Sequence, residues 1–230
     1  MILLKEVIGI KSHEKEYIRN SVNLLRSKFE PYKQSDGYYR LIKLKYAFES
    51  LNKCNYFREE KFGNINIKFY MNWNKSETAQ FVWDYTGKNN CIYVNLAHMF
   101  SVKRLEDKNW WVTKIDYNQI QSSITHEFTH FLQLKTVLSK SIDPFKSKKS
   151  YMNRGYEHGA WAAGELERIR QELEPFSYGK KLLPKILYIL RNHGITGSIL
   201  TDLKENNPMA WKKIMKKVVL MALSDSEFIK

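Results

Sequence analysis

Two histidines and a glutamate stand close together in the segment SSITHEFTHFLQLK, residues 122–135. His126 and His130 are four residues apart, and Glu127 directly follows the first histidine. If the segment is helical, the two imidazoles lie within roughly 40° of each other on one face, so both can reach one ion. Glu127 then projects about 60° from His130, which places a carboxylate beside the ion without making it a ligand. The spacing therefore predicts a metal site on a helix.

The residue types fit a hydrolytic zinc site. Such a site uses three protein ligands and keeps a fourth position for water. The metal lowers the pKa of that water to about 7, and a neighbouring carboxylate can accept its proton and pass it to the leaving amine. We therefore expect zinc as the cofactor, His126 and His130 as two of its ligands, and Glu127 as the general base.

The motif HEFTHFLQ resembles the active-site helix of the HExxH zincin metallopeptidases. In the gluzincin branch of that group the third ligand is a glutamate on a following helix. Here the segment NRGYEHGAWAAGELERIR follows after a lysine-rich loop, and it is similar to the Glu-x-x-Ala-x-x-Ala pattern of small zincins from bacteriophages and mobile elements. The matching residues are Glu157, Ala160 and Ala163. The resemblance covers roughly residues 80–170 and implies that Glu157 is the third zinc ligand.

The spacing of small residues also favours Glu157 as the ligand. On a helix, Ala160 and Gly164 share its face at offsets of three and seven, and their small size would let this helix approach the zinc helix closely. Glu165 would lie about 12 Å further along the helix axis, so Glu157 and Glu165 cannot both bind one ion, and Glu165 is the second choice of ligand. We expect Glu165 either to orient a zinc histidine or to pair with an arginine.

The elements that carry these residues are predicted from hydrophobic spacing. Apolar residues at helical intervals predict helices from residue 12 to a stop at Pro31, at 38–53, and near 116–139, 156–173, 182–193 and 207–223. Alternation predicts strands at 64–73, 79–85 and 91–96, the last two joined by a turn at TGKNN, and the first ten residues can form a short strand. Helix 116–139 should bury a separate apolar face and leave the histidines facing a cleft. That face comprises Ile120, Ile124, Phe128, Phe131 and Leu132.

The order of helices, a small sheet and further helices predicts an α+β fold with a single core. We expect one zincin-like domain over residues 1–230, with a helical N-terminal region (1–60), a catalytic core (61–174) and a helical C-terminal region (175–230). The core combines a small mixed sheet with the active-site helix. The resemblance implies that an extended peptide binds along an edge strand, and either 79–85 or 91–96 can be that edge.

The net charge of +14, from 38 basic and 24 acidic residues, favours non-specific attraction to polyanions. A lysine-rich proteome would give the same excess, and the lysines are scattered along the chain. No apolar run approaches the roughly 18 residues that span a bilayer, and the N-terminus lacks the features of a signal peptide. We expect synthesis in the cytoplasm, no membrane association, and a place in the virion if the gene belongs to a phage.

The resemblance implies a zinc endopeptidase, phage- or prophage-encoded, with a protein or peptide substrate and virion or phage proteins as partners. Two other functions stay open. One is a basic virion-associated or nucleic-acid-associated structural protein that retains the zincin fold. The other is a metallohydrolase of a different bond, such as a cell-wall amide. Glu127 favours an enzyme over a structural protein, because a structural zinc site needs no base.

Overall fold

A computed structural model of the chain describes residues 10–53, 65–84, 90–106, 108–138, 155–173, 184, 185, 188 and 204–224. These residues form helices and two three-stranded sheets, which confirms the predicted α+β class. The chain divides into two compact units: Ser12–Glu127, here called the sheet unit, and Phe128–Lys230 with Met1–Lys11, here called the helical unit. No described helix combines the length and the hydropathy that a membrane span requires. The single zincin-like domain stays a prediction.

The sheet unit begins with two amphipathic helices. Helix α1, Ser12–Phe29, ends just before Pro31, which lies in a 3-10 turn at Glu30–Tyr32. Helix α2 covers Leu41–Lys53 and is shorter than the helix predicted at 38–53, because Tyr39–Arg40 form a short strand, β1. The four residues that set the helical spacing of α1 are all buried: Ile18, Val22, Leu25 and Phe29. The apolar period therefore predicted this helix correctly.

One sheet has the strand order β2-β4-β3 and contains the strands that the alternation predicted. Strand β2, Ile65–Tyr70, runs parallel to β4, Asn90–Asn95, while β3, Ala79–Val82, runs antiparallel to β4 on its other side. The sheet is therefore mixed, and among the described residues β4 is its central strand and β3 an edge strand. This arrangement decides between the two candidate edge strands in favour of β3. The turn predicted at TGKNN lies almost entirely outside the described residues.

The other sheet, of order β1-β6-β5, was not predicted from the sequence. Strand β5 covers Phe100–Arg104 and strand β6 covers Trp110–Ile115, and β6 pairs antiparallel with both neighbours. A register shift at Ser101/Val102 interrupts the β5–β6 ladder. The two strands show no regular alternation of buried and exposed side chains, so the signal that identifies a strand in sequence is absent here.

Asn95 fixes the chain between β2 and β3. Its fully buried side chain donates to the carbonyl oxygen of Asn72 at 2.8 Å and accepts from the N–H of Asn72 at 3.0 Å. Its own backbone N–H donates to the carbonyl oxygen of Thr78 at 2.8 Å. These bonds hold the segment that leads into β3 against the end of β4. They thereby determine where the edge strand begins.

The helical unit contains α4, Gly155–Leu173, and α5, Pro208–Ser224, which pack against each other. The side chain of Asn207 caps α5 by accepting from the N–H of Ala210 at 3.2 Å, and Pro208 follows at the first helical position. The buried core between the two helices consists of apolar residues from both, namely Ala162, Ala163, Leu166, Ile169, Ala210, Ile214, Val218, Met221 and Ala222.

The predicted helices near 116–139, 156–173 and 207–223 are confirmed to within one residue at each end. Of the helix predicted at 182–193, only residues 184, 185 and 188 are described. The loop 140–154 and all but the last of the first ten residues lie outside the described ranges.

Candidate metal centre

Helix α3, Tyr117–Leu138, carries the two histidines and the glutamate of the motif. Asp116 precedes it and caps its first turn, because its carboxylate accepts from the N–H of Gln119 at 2.9 Å. Ile120, Ile124 and Phe128 of the predicted apolar face are fully buried. Phe131 is almost fully buried, and Leu132 is partly exposed. Burial of this face fixes the rotation of the helix, and with it the direction of the histidines.

His126, His130 and Glu157 form a group that could hold a metal ion. One ligand atom from each lies within 4.8 Å of those of the other two. His126 and Glu157 are buried and His130 is partly buried. The three residues are those predicted as ligands from the sequence, and they come from α3 and from the first turn of α4.

The distances within this group fit one small ion. Nε2 of His130 and Oε2 of Glu157 are 3.2 Å apart. Around a tetrahedral ion with metal–ligand distances of about 2.1 Å, neighbouring ligand atoms are about 3.4 Å apart. The His130–Glu157 pair is close to this separation, and the ligand atom of His126 lies within 4.8 Å of both. Two imidazole nitrogens and one carboxylate oxygen are donors that borderline divalent metals prefer.

Glu127 is held by the backbone of the edge strand. Its Oε2 accepts a hydrogen bond from the N–H of Phe81 in β3, with a donor–acceptor distance of 2.7 Å. Its Oε1 lies 3.9 Å from Nε2 of His126. One carboxylate oxygen is thus bound to the strand, while the other is on the side of the first metal-ligand candidate. Because a hydrogen bond of this length to a carboxylate is a strong one, it restricts the rotation of the group.

Glu165 does not join the metal group and pairs with an arginine, one of its two expected roles. Arg168 donates to it twice, from Nη2 at 2.5 Å and from Nε at 3.2 Å. Both side chains are buried, as are those of a second pair two residues further along, Glu167 and Arg170. Each of these four buried charges on α4 therefore has an opposite charge beside it, as buried ions require.

Two further histidines among the described residues, His158 and His98, lie outside the group. His158 follows Glu157 on α4 and is buried, but it is not among the residues that could share the ion. His98 is exposed, and its Nε2 is hydrogen-bonded to the carbonyl oxygen of Lys75. The geometry therefore restricts the candidate ligands among the described residues to the three that were predicted.

Two contacts of the site were not predicted from the sequence. One is the bond between Glu127 and the N–H of Phe81; the other joins Nδ1 of His130 to Oε1 of Gln133 at 3.1 Å. The offset of three between His130 and Gln133 is a signal that could have indicated the second contact. No sequence feature could have indicated the contact between Phe81 and Glu127, because every non-proline residue of a strand has an N–H.

Comparisons of the chain with protein-family models, with curated proteins and with solved structures found no match.

Proposed function

We propose that the protein is a zinc-dependent metallopeptidase with a zincin-like fold. The observation that carries the proposal is the assembly of His126, His130 and Glu157 into one group with ligand atoms within 4.8 Å of one another. Two histidines and a glutamate are a known ligand set of hydrolytic zinc. Magnesium and calcium prefer sets made of oxygen atoms alone, so the two imidazoles favour zinc over either.

The chain supplies a base beside the ligands. When bound, zinc supplies a Lewis acid that lowers the pKa of a water molecule to about 7. In this proposal Glu127 accepts a proton from that water and returns it to the amine that leaves. Oε1, which lies 3.9 Å from Nε2 of His126, is the oxygen that we assign to this transfer. A purely structural zinc site would have no use for such a carboxylate.

The edge position of β3 supports a peptide as the substrate. One side of β3 pairs with β4, and the N–H of Phe81 points to the other side, where it meets Glu127. Because the N–H of Phe81 donates to Glu127, an extended peptide would add through the other outward-facing backbone groups of β3, and it would then lie beside the base. The similarity of Glu157, Ala160 and Ala163 to the pattern of small phage zincins supports a phage or prophage origin and virion proteins as partners.

The test is hydrolysis of a proteome-derived peptide library by zinc-loaded protein, with cleavage products identified by mass spectrometry. Glu127→Gln keeps the shape of the side chain and removes the base, so we expect it to retain zinc and to lose about 10²- to 10⁴-fold in rate. Glu16→Gln, which changes an exposed carboxylate on α1, is the matched control and should cleave like the wild type. Absence of cleavage by wild-type protein that has bound zinc would reject the peptidase function.

A further inference from the structure

Gln133 follows His130 by three residues on α3, and its side chain meets the histidine ring on the side opposite to Glu157. Oε1 of Gln133 is 3.1 Å from Nδ1 of His130. The other ring nitrogen, Nε2, is 3.2 Å from Oε2 of Glu157. Each nitrogen of the imidazole therefore has its own partner, and both partners are oxygen atoms.

This arrangement assigns the proton of the ring. An amide oxygen only accepts hydrogen bonds, so Nδ1 of His130 must carry a hydrogen to bond with Gln133. In the neutral ring, Nε2 then presents a lone pair to the carboxylate oxygen of Glu157. Two acceptors 3.2 Å apart repel each other unless a proton or a metal ion lies between them. Gln133 thus selects the tautomer in which Nε2 is ready to bind a metal ion.

Gly159 on α4 leaves the space that the amide of Gln133 occupies. A Cβ atom at this position would lie 2.8 Å from Nε2 of Gln133 and 3.8 Å from Nζ of Lys217. The first distance is too short for any real contact, so a side chain here would displace the amide. Gly159 is two residues from Glu157, and so the same turn of α4 provides both the third ligand candidate and this space.

We propose that Gln133 is a positioning residue of the metal centre and that Gly159 is the glycine its placement requires. Gln133 acts through His130: it fixes the tautomer and the orientation of the ring. Gly159 acts through Gln133, since it lets the amide lie where its oxygen meets Nδ1. This inference rests on the proposed metal-dependent function and names two residues of that site that were not predicted from the sequence.

The first experiment measures zinc affinity of the full-length protein by competition with a chromophoric chelator. Gln133→Met preserves length and removes the acceptor, and we expect a 10- to 100-fold loss of affinity, the usual effect of removing such a partner. Gln133→Glu keeps an acceptor oxygen, so its affinity should stay within about threefold of wild type. The control is Gln119→Ala, on the same helix and about 16 Å along the axis from His130. It should leave the affinity unchanged.

A double-mutant cycle tests the role of Gly159. Gly159→Ala should lower the zinc affinity about tenfold in the wild-type background, because it displaces the amide. In the Gln133→Ala background the same change should have no further effect on affinity, since no amide remains to be displaced. Equal losses in the two backgrounds would show that Gly159 does not act through Gln133, and would overturn that half of the proposal.

A second readout requires no metal and no activity. Nitrogen-15 NMR of metal-free protein at pH 8 reports the tautomer of each histidine, and the His130 signals are identified by their loss in His130→Asn. We expect Nδ1 to carry a hydrogen in wild type and in Gln133→Glu, whether or not Nε2 also carries one beside Glu157, and to lose it in Gln133→Met. An unchanged tautomer together with undiminished affinity in Gln133→Met would refute the proposal. Failure of wild-type protein to bind zinc would instead refute the proposed function, and the NMR result would still decide what Gln133 does.

Discussion

The hydrogen bond from Phe81 to Glu127 leads to a prediction about the base. Replacing Phe81 by proline removes this N–H, which faces away from β4 and so takes no part in the β3–β4 ladder. Proline is tolerated at an edge strand when the missing N–H faces outward, so the sheet should persist. Phe81→Ala is the matched control, because it also loses the ring and keeps the N–H.

The size of the effect follows from the kind of bond that is lost. A hydrogen bond to a charged group contributes about 1.5–3 kcal/mol. If that free energy holds the carboxylate of Glu127 in its reactive orientation, its loss lowers kcat/KM by about 10- to 150-fold, at 1.36 kcal/mol for each factor of ten. Zinc content should not change, since Glu127 is not expected to be a ligand.

The assay compares kcat/KM of Phe81→Pro and Phe81→Ala on one peptide found in the library screen, after zinc loading. Circular dichroism and zinc content establish that both variants are folded and loaded. We expect the proline variant to be slower than the alanine variant by the factor given above. Equal rates in the two variants would refute the view that the strand positions the base.

Three further predictions concern buried side chains outside the metal centre. Ile214→Ala removes a fully buried side chain from the α4–α5 core and should lower the free energy of unfolding in urea by about 2–5 kcal/mol. Arg168→Leu leaves the buried carboxylate of Glu165 without its partner and should cost about 3–5 kcal/mol, more than the double replacement by leucine of both residues. Burial raises the pKa of the Cys91 thiol to about 11, so in a Cys54→Ser background alkylation by iodoacetamide should be very slow at pH 8. Because the thiolate is the reactive form, the rate should rise about tenfold per pH unit up to pH 10, as mass spectrometry can follow; a rate already at its plateau at pH 8 would contradict the raised pKa.

The helices and strands that could be predicted are those whose buried side chains recur at a regular helical or alternating interval. Ile18, Val22 and Leu25 are buried at helical intervals in α1, and Ile65 and Ile67 alternate in β2. Strands β5 and β6 were missed for the opposite reason. Trp110 is half exposed while the adjacent Trp111 is buried, and charged residues end β5, so no period marks either strand. Their pairing depends on tertiary contacts that the local pattern does not encode.

The candidate metal centre likewise has residues that could be predicted from the sequence and contacts that could not. His126, Glu127 and His130 are encoded by local spacing on one helix, and a second helical pattern indicated Glu157. The contacts that orient them are not local. Where the N–H of Phe81 meets Glu127 depends on the position of an edge strand. The space at Gly159 likewise depends on how closely α4 approaches Gln133, and that distance cannot be predicted from the spacing of residues along the chain.

The most direct test of the metal centre is the zinc stoichiometry of the intact protein by native mass spectrometry after zinc loading and dialysis. We predict one zinc per chain in the wild type and clear loss of zinc in each of three variants: His126→Ala, His130→Ala and Glu157→Ala. His98→Ala, which changes an exposed histidine outside the group, should bind like the wild type. Wild-type protein with well under one equivalent of zinc, or undiminished binding in His126→Ala, would contradict the account.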